Sequence, residues 1–108
     1  MTANFISLDS IGKLDALIEE SRTRAIFIFK DSSSCGISAD VREQLEAMTD
    51  DIHVIVVQDD RPVSNAVVER LGIRHASPQA IVLRDGKSIY HATHYGIDWR
   101  KIGKMLEV

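Results

Sequence analysis

The pattern of apolar and polar residues along the chain predicts four helices and four strands. Where apolar residues recur every three or four positions, as at Leu14 and Leu17, the spacing is that of an amphipathic helix. Where they form a short continuous run rich in β-branched residues, as at 52–57, the run is typical of a strand covered on both faces. The predicted elements are, in chain order, a helix capped by Asp9 or Ser10 that ends near Arg22, a strand at 25–29, a helix through Val41, Leu45 and Met48, a strand at 52–57, a helix through Val67, Val68 and Leu71, strands at 80–83 and 88–91, and a helix from about Ile97 to Leu106.

The order of these elements is αβαβαββα, which describes two crossover units followed by a hairpin and a terminal helix. The hairpin is indicated by Arg84-Asp-Gly-Lys87, because Asp-Gly is a preferred two-residue turn. We therefore expect an α/β fold, with a four-stranded mixed sheet flanked by helices, in a single domain over residues 1–108.

The composition indicates which partners and which cellular compartment to expect for this protein. The 108 residues are 44% hydrophobic, enough for one core, and the net charge of -3 gives no bias toward nucleic acid or an anionic membrane. Residues 1–10 lack a basic segment followed by an apolar stretch, and no later run approaches the roughly 18 apolar residues of a membrane span. These features predict a cytoplasmic protein, and we expect a monomer.

Cys35 is the only cysteine, so the chain cannot form an intramolecular disulfide or a multi-cysteine metal site. A lone cysteine is often a small buried hydrophobe. Cys35, however, follows a polar loop and begins the second helix, where unpaired N–H groups and the helix dipole stabilise a thiolate. We therefore expect a lowered thiol pKa, and Ser38, three positions later, could donate a hydrogen bond to the sulfur.

Other residues give weaker signals. Lys30 ends the first predicted strand near the Cys35 loop and could favour the thiolate or hold a substrate carboxylate, although a solvated strand end is the alternative. Pro78 immediately precedes the third strand, where a cis peptide would make a tight bend. Tyr95 and Trp99 are expected to be packing residues. The histidines show no metal-ligand spacing beyond the weak pair of His91 and His94, and all four are expected to be structural or surface residues: His53, His75, His91 and His94.

Four segments together resemble the monothiol bacilliredoxin family, whose members have a thioredoxin-like fold, over nearly the whole chain. They are Phe29-Lys-Asp-Ser-Ser-Ser-Cys-Gly-Ile-Ser38, Arg61-Pro-Val-Ser-Asn-Ala-Val-Val-Glu-Arg70, His75-Ala-Ser-Pro-Gln79 and His91-Ala-Thr-His94. The resemblance implies that Cys35 is the attacking thiol in a loop with Ser34, Gly36 and Ile37, and that Ser38 occupies the position of the absent resolving cysteine. It also implies that Pro78 is a cis-proline facing Cys35 and that the backbone of Ser77 pairs with the thiol substrate.

The function implied by this resemblance is removal of bacillithiol from S-bacillithiolated proteins, with bacillithiol or another small thiol as co-substrate and Lys30 near its carboxylates. Members of the family often have proline after the cysteine, whereas this chain has Gly36. Cys35-Gly-Ile-Ser38 resembles the Cys-Gly-Phe-Ser of monothiol glutaredoxins, many of which hold a bridging [2Fe-2S] cluster. A cluster-binding module and a non-catalytic thioredoxin-like binding module are therefore the alternatives.

Overall fold

The computed structural model describes residues 3–107, which form one mixed sheet between two layers of helices. The elements are β1 (Asn4–Ser7), α1 (Ile11–Glu20), β2 (Ile26–Asp31), α2 (Gly36–Leu45), β3 (Asp51–Val56), α3 (Arg61–Leu71), β4 (Gln79–Arg84), β5 (Lys87–Thr93), a 3-10 turn (His94–Gly96) and α4 (Trp99–Leu106).

The strand order is β1-β3-β2-β4-β5, so the expected α/β fold with a mixed sheet is confirmed. β1 and β2 pair in parallel with β3, β4 runs antiparallel to β2, and β5 runs antiparallel to β4. The expected number of four strands was wrong. β1 is a four-residue edge strand with only two apolar residues, and it is defined by its register against β3, with Phe5 opposite Ile52.

Capping side chains correct the predicted ends of two helices. Ser10 is the N-cap of α1, where its hydroxyl accepts a hydrogen bond from the Lys13 N–H at 3.1 Å. The helix ends at Glu20 rather than near Arg22. α4 begins at Trp99 rather than Ile97, because the Asp98 carboxylate accepts hydrogen bonds from the N–H groups of the first turn.

The sheet separates two hydrophobic clusters. In β2, Phe27 and Phe29 face α2 and α4, whereas Ile26 and Ile28 face α1 and α3, as the alternation of side chains along a strand requires. All six residues of β2 are buried, because helices cover both faces of this central strand. Complete burial of each large apolar side chain contributes about 1.5–3 kcal/mol. β2 is therefore a rigid support for the loop that follows it.

None of the helices within residues 3–107 has the length and apolar character needed to cross a membrane.

Candidate active site

Cys35 lies between the end of β2 and the start of α2, at the edge of the sheet where the parallel strands β2 and β3 both end. It is the N-cap residue of α2, with extended backbone angles of φ -107° and ψ 121°. Its side chain is half-buried, and its N–H donates to the Ser32 carbonyl at 3.3 Å. The thiol is therefore held at the beginning of a helix while part of its surface remains accessible.

The pKa of the Cys35 thiol is lowered, as the sequence predicted. The main cause is a hydrogen bond from the backbone N–H of Ser38, which acts with the Ile37 N–H and the Ser38 hydroxyl. Burial and the nearby Asp31 carboxylate oppose this shift. The first turn of α2 thus stabilises the thiolate through the helix N–H groups that have no partner within the helix.

Ser38 connects the thiol to the loop that precedes it. The side chain is fully buried, and its oxygen accepts a hydrogen bond from the Ser32 N–H at 3.2 Å. A hydroxyl that accepts through its oxygen still has its own proton to donate, here to the Cys35 sulfur. Ser38 therefore fixes the loop and lowers the pKa of the thiol at the same time.

Gln58, in the turn after β3, holds the serine loop, which is the segment 32–34 before Cys35. Its Oε1 accepts from the Ser33 N–H at 3.1 Å, and its Nε2 donates to the hydroxyls of Ser32 at 2.6 Å and Ser34 at 3.1 Å. Gln58 was not among the residues predicted from the sequence. Its position two residues after β3 is the only signal that could have found it, since β2 and β3 end at the same edge.

Asp31 is the acidic residue that works against the thiolate. Its carboxylate accepts from Arg42 Nη1 at 3.0 Å, and the Arg42 guanidinium also lies over the Phe5 ring, 4.3 Å from the ring centroid. The ion pair offsets part of the negative charge of Asp31. Arg42, on α2, therefore reduces the repulsion that Asp31 would otherwise exert on an ionised Cys35.

Pro78 lies at the same edge of the sheet as Cys35. The Ser77–Pro78 peptide is cis, in agreement with the expectation from the family resemblance. Gln79, the next residue, pairs with Lys30 near the end of β2, and the Pro78 carbonyl accepts from the His94 N–H at 3.1 Å. The backbone of Ser77 precedes the first registered pair of β4.

Tyr95 borders the site from the 3-10 turn. It was expected to be a packing residue, but its side chain is 63% exposed, and its hydroxyl donates to Asp40 Oδ2 on α2 at 2.9 Å. This hydrogen bond is the main cause of the raised pKa of Tyr95, and negative charge at Cys35 adds to it. Tyr95 is therefore an exposed aromatic residue within electrostatic reach of the thiol.

Lys30 does not contact solvent, so the predicted role in holding a substrate carboxylate is not supported by this geometry. Its side chain is fully buried, and Nζ donates to the Ser64 carbonyl at 3.1 Å and to His75 Nδ1 at 3.1 Å. Burial lowers the pKa of Lys30 to about 8. The alternative of a solvated strand end is also wrong, because α3 covers this face of β2.

The histidines do not gather into a metal site: residues 3–107 contain no group of three or more His, Cys, Asp or Glu side chains placed to hold a metal ion.

Comparisons with known proteins agree with this geometry. A family model described as monothiol bacilliredoxin BrxC matches residues 6–102. A solved thioredoxin-fold protein that is proposed to be an oxidoreductase superposes with a TM-score of 0.82 at 26% identity, covering 94% of this chain and 92% of the other. Thioredoxin from Fasciola hepatica superposes with a TM-score of 0.71 at 17% identity, covering 94% and 96%. Thioredoxin O2 from Arabidopsis thaliana superposes with a TM-score of 0.71 at 15% identity, covering 96% of this chain and 92% of the other. The chain belongs to the monothiol bacilliredoxin family, and it is a redox protein with the thioredoxin fold.

Proposed function

We propose that this protein removes bacillithiol from S-bacillithiolated proteins by thiol–disulfide exchange at Cys35. The observation that carries the proposal is a half-buried thiol whose pKa is lowered by the first turn of α2, in a chain without a second cysteine. Membership of the bacilliredoxin family supports bacillithiol as the small thiol. A cytoplasmic location suits this chemistry, because thiols are kept reduced there.

In the first step the Cys35 thiolate attacks the bacillithiol sulfur of the mixed disulfide. The bond between this sulfur and the substrate cysteine breaks, and a new disulfide joins bacillithiol to Cys35. The electron pair leaves on the substrate cysteine, which takes a proton from water. Cys35 is thus oxidised as the substrate is reduced, and a second external thiol must attack the new disulfide to regenerate Cys35.

The residues around Cys35 have separate roles in this proposal. The N–H groups of Ser38 and Ile37 stabilise the thiolate, and Ser34 and Gly36 are the sequence neighbours of Cys35. The backbone of Ser77 would pair with the substrate, and Pro78 would pack against the disulfide. Ser77 is suited to this role because its backbone lies outside the registered pairs of the sheet.

The direct test is mass spectrometry of the reduced protein mixed with a peptide that carries one bacillithiolated cysteine. We expect the bacillithiol mass to move from the peptide to Cys35, and the Cys35→Ser variant to acquire none. Ser33→Ala is a matched control that changes a loop hydroxyl and keeps the thiol. The same peptide carrying glutathione measures the preference for the small thiol. Absence of transfer, or equal peptide reduction by wild type and Cys35→Ser, would refute the proposal.

The sequence Cys35-Gly36-Ile37-Ser38 favours a second candidate, a [2Fe-2S] cluster held between two chains and two small thiols. Anaerobic reconstitution with iron, sulfide and a small thiol tests it, with visible absorbance and size-exclusion chromatography as readouts. A coloured dimer that Cys35→Ser fails to form would support this candidate. A colourless monomer that still takes bacillithiol from the peptide would support the first.

A further inference from the structure

Two buried polar side chains form hydrogen bonds to the segment that precedes the cis-proline. Gln79 Nε2 donates to the Arg74 carbonyl at 3.0 Å, and Lys30 Nζ donates to the His75 ring at 3.1 Å. Lys30 and Gln79 are directly opposite each other on β2 and β4, so both side chains lie on the same face of the sheet. Two neighbouring residues thus hold both ends of a short stretch, Arg74 and His75, that leads to Pro78.

The contact with the Lys30 ammonium group determines which ring nitrogen of His75 carries the proton. A charged lysine has three N–H donors and no acceptor, so His75 Nδ1 must accept the hydrogen bond. While charged Lys30 makes this contact, His75 is therefore neutral, with its proton on Nε2. The second Lys30 contact, to the Ser64 carbonyl, joins the same ammonium to α3. Lys30 consequently connects three elements: β2, α3 and the loop before Pro78.

Neither buried residue is explained by packing. Lys30 forms no salt bridge within the part of the chain that the structure describes, and burial of an ammonium without a carboxylate is costly. Gln79 is 1% exposed, and its Oε1 is a buried acceptor without a hydrogen-bond partner. An apolar side chain at either position would avoid this cost. The polar atoms do, however, form the hydrogen bonds to Arg74 and His75, which apolar side chains could not form.

We propose that Lys30, His75 and Gln79 are positioning residues, which set the conformation of the cis-proline loop so that the Ser77 backbone is presented to the mixed disulfide. This inference rests on the proposed function, because it assigns Ser77 to substrate pairing. None of the three side chains is required to touch the substrate. Their effect is on the approach of the disulfide to Cys35, and the ionisation of the thiol depends on other groups.

A measurement on His75 tests the contact without any substrate. The charged groups that act on His75 are Lys30 from β2 and Arg61 from α3, and both, after burial, lower its pKa. We expect the pKa of His75, measured by NMR titration, to rise toward 6.5 in Lys30→Met, which keeps the length of the side chain and removes its charge. Lys13→Met, a change on the exposed face of α1, should leave it unchanged. An unmoved pKa in Lys30→Met would overturn the proposal.

A kinetic comparison tests the consequence for reaction. In Lys30→Met, and in His75→Asn, which changes an exposed residue and should fold, we expect reduction of the bacillithiolated peptide to slow about tenfold or more. Alkylation of Cys35 by iodoacetamide should stay within about twofold of wild type, since its stabilising hydrogen bonds are retained. Full peptide reduction by both variants would overturn the positioning role. A wild type that reduces no peptide would instead refute the proposed function, and the His75 titration would still decide whether the contact exists.

Discussion

Replacement of Gly36 by proline is a sharp test of how the first turn of α2 supports the thiolate. Gly36 is the first residue of α2, a position that proline favours because its N–H has no partner within the helix. The angles of Cys35, φ -107° and ψ 121°, lie in the region that a residue before proline adopts. A Cβ atom at Gly36 would have nothing within 4 Å. These features make the native backbone compatible with proline at this position.

The expected gain in stability comes from the unfolded chain, which proline restricts more than glycine does. A compatible substitution of this kind adds about 0.4–1 kcal/mol to the free energy of unfolding. For a chain of this size, that gain corresponds to an increase in Tm of roughly 2–6 °C. The pKa of Cys35 should stay below its ordinary value, because the groups that lower it belong to Ser38 and Ile37 and remain in place.

Thermal unfolding of the reduced protein, followed by circular dichroism, measures the first quantity, and the pH dependence of Cys35 alkylation measures the second. Gly72→Ala is the matched control, because Gly72 also has open space around it but sits at φ +69°, so this change should lower Tm. A lower Tm in Gly36→Pro would refute the compatibility of this backbone with proline. A thiol pKa restored to that of free cysteine would show that the Gly36 N–H supports the thiolate. Only this change in pKa would refute the assignment of that role to Ser38 and Ile37.

Three further predictions concern neighbouring groups. Ser38→Ala should raise the pKa of Cys35, because a hydroxyl donor is lost, and slow alkylation at neutral pH; an unchanged rate would contradict this. Gln58→Ala should speed amide hydrogen exchange at Ser33 and lower stability by about 1 kcal/mol, with Gln44→Ala as the control and equal exchange as the contrary result. The free energy of unfolding of wild type relative to Lys30→Met, measured with urea, should rise between pH 8 and 10.5 by at most about 3 kcal/mol. The reason is that Lys30 keeps its proton up to pH 10.5 in the unfolded chain but loses it at about pH 8 in the folded protein. A difference that stays constant with pH would contradict this.

The parts of the site that could be predicted from sequence are those defined by local geometry. Cys35 follows a strand and begins a helix, and that position alone is enough to predict a lowered thiol pKa. The spacing of Ser38 places it in the same helical turn. The cis form of the Ser77–Pro78 peptide, by contrast, was expected only from the family resemblance, since trans is the default for a proline in a sequence.

The features that were missed depend on which elements become neighbours. β1 has too few apolar residues to be recognised, and it exists as a strand because β3 offers an unpaired edge. Gln58 reaches the serine loop only because β3 lies beside β2. The sequence pattern placed Lys30 at a strand end, where solvent is the usual environment, and only the packing of α3 over β2 makes it a buried residue.

In the proposed reaction, the two faces of β2 have different roles. The N–H groups of α2 determine how much thiolate is present at a given pH, whereas Lys30 and Gln79 act from the opposite face, on the loop that would receive the disulfide. Because the two sets share no hydrogen-bond partner, a change in one should leave the quantity governed by the other intact. Ionisation of Cys35 and orientation of the substrate are therefore, in this proposal, separable contributions to the exchange reaction, so that a variant with an unchanged thiol pKa could still reduce the peptide slowly.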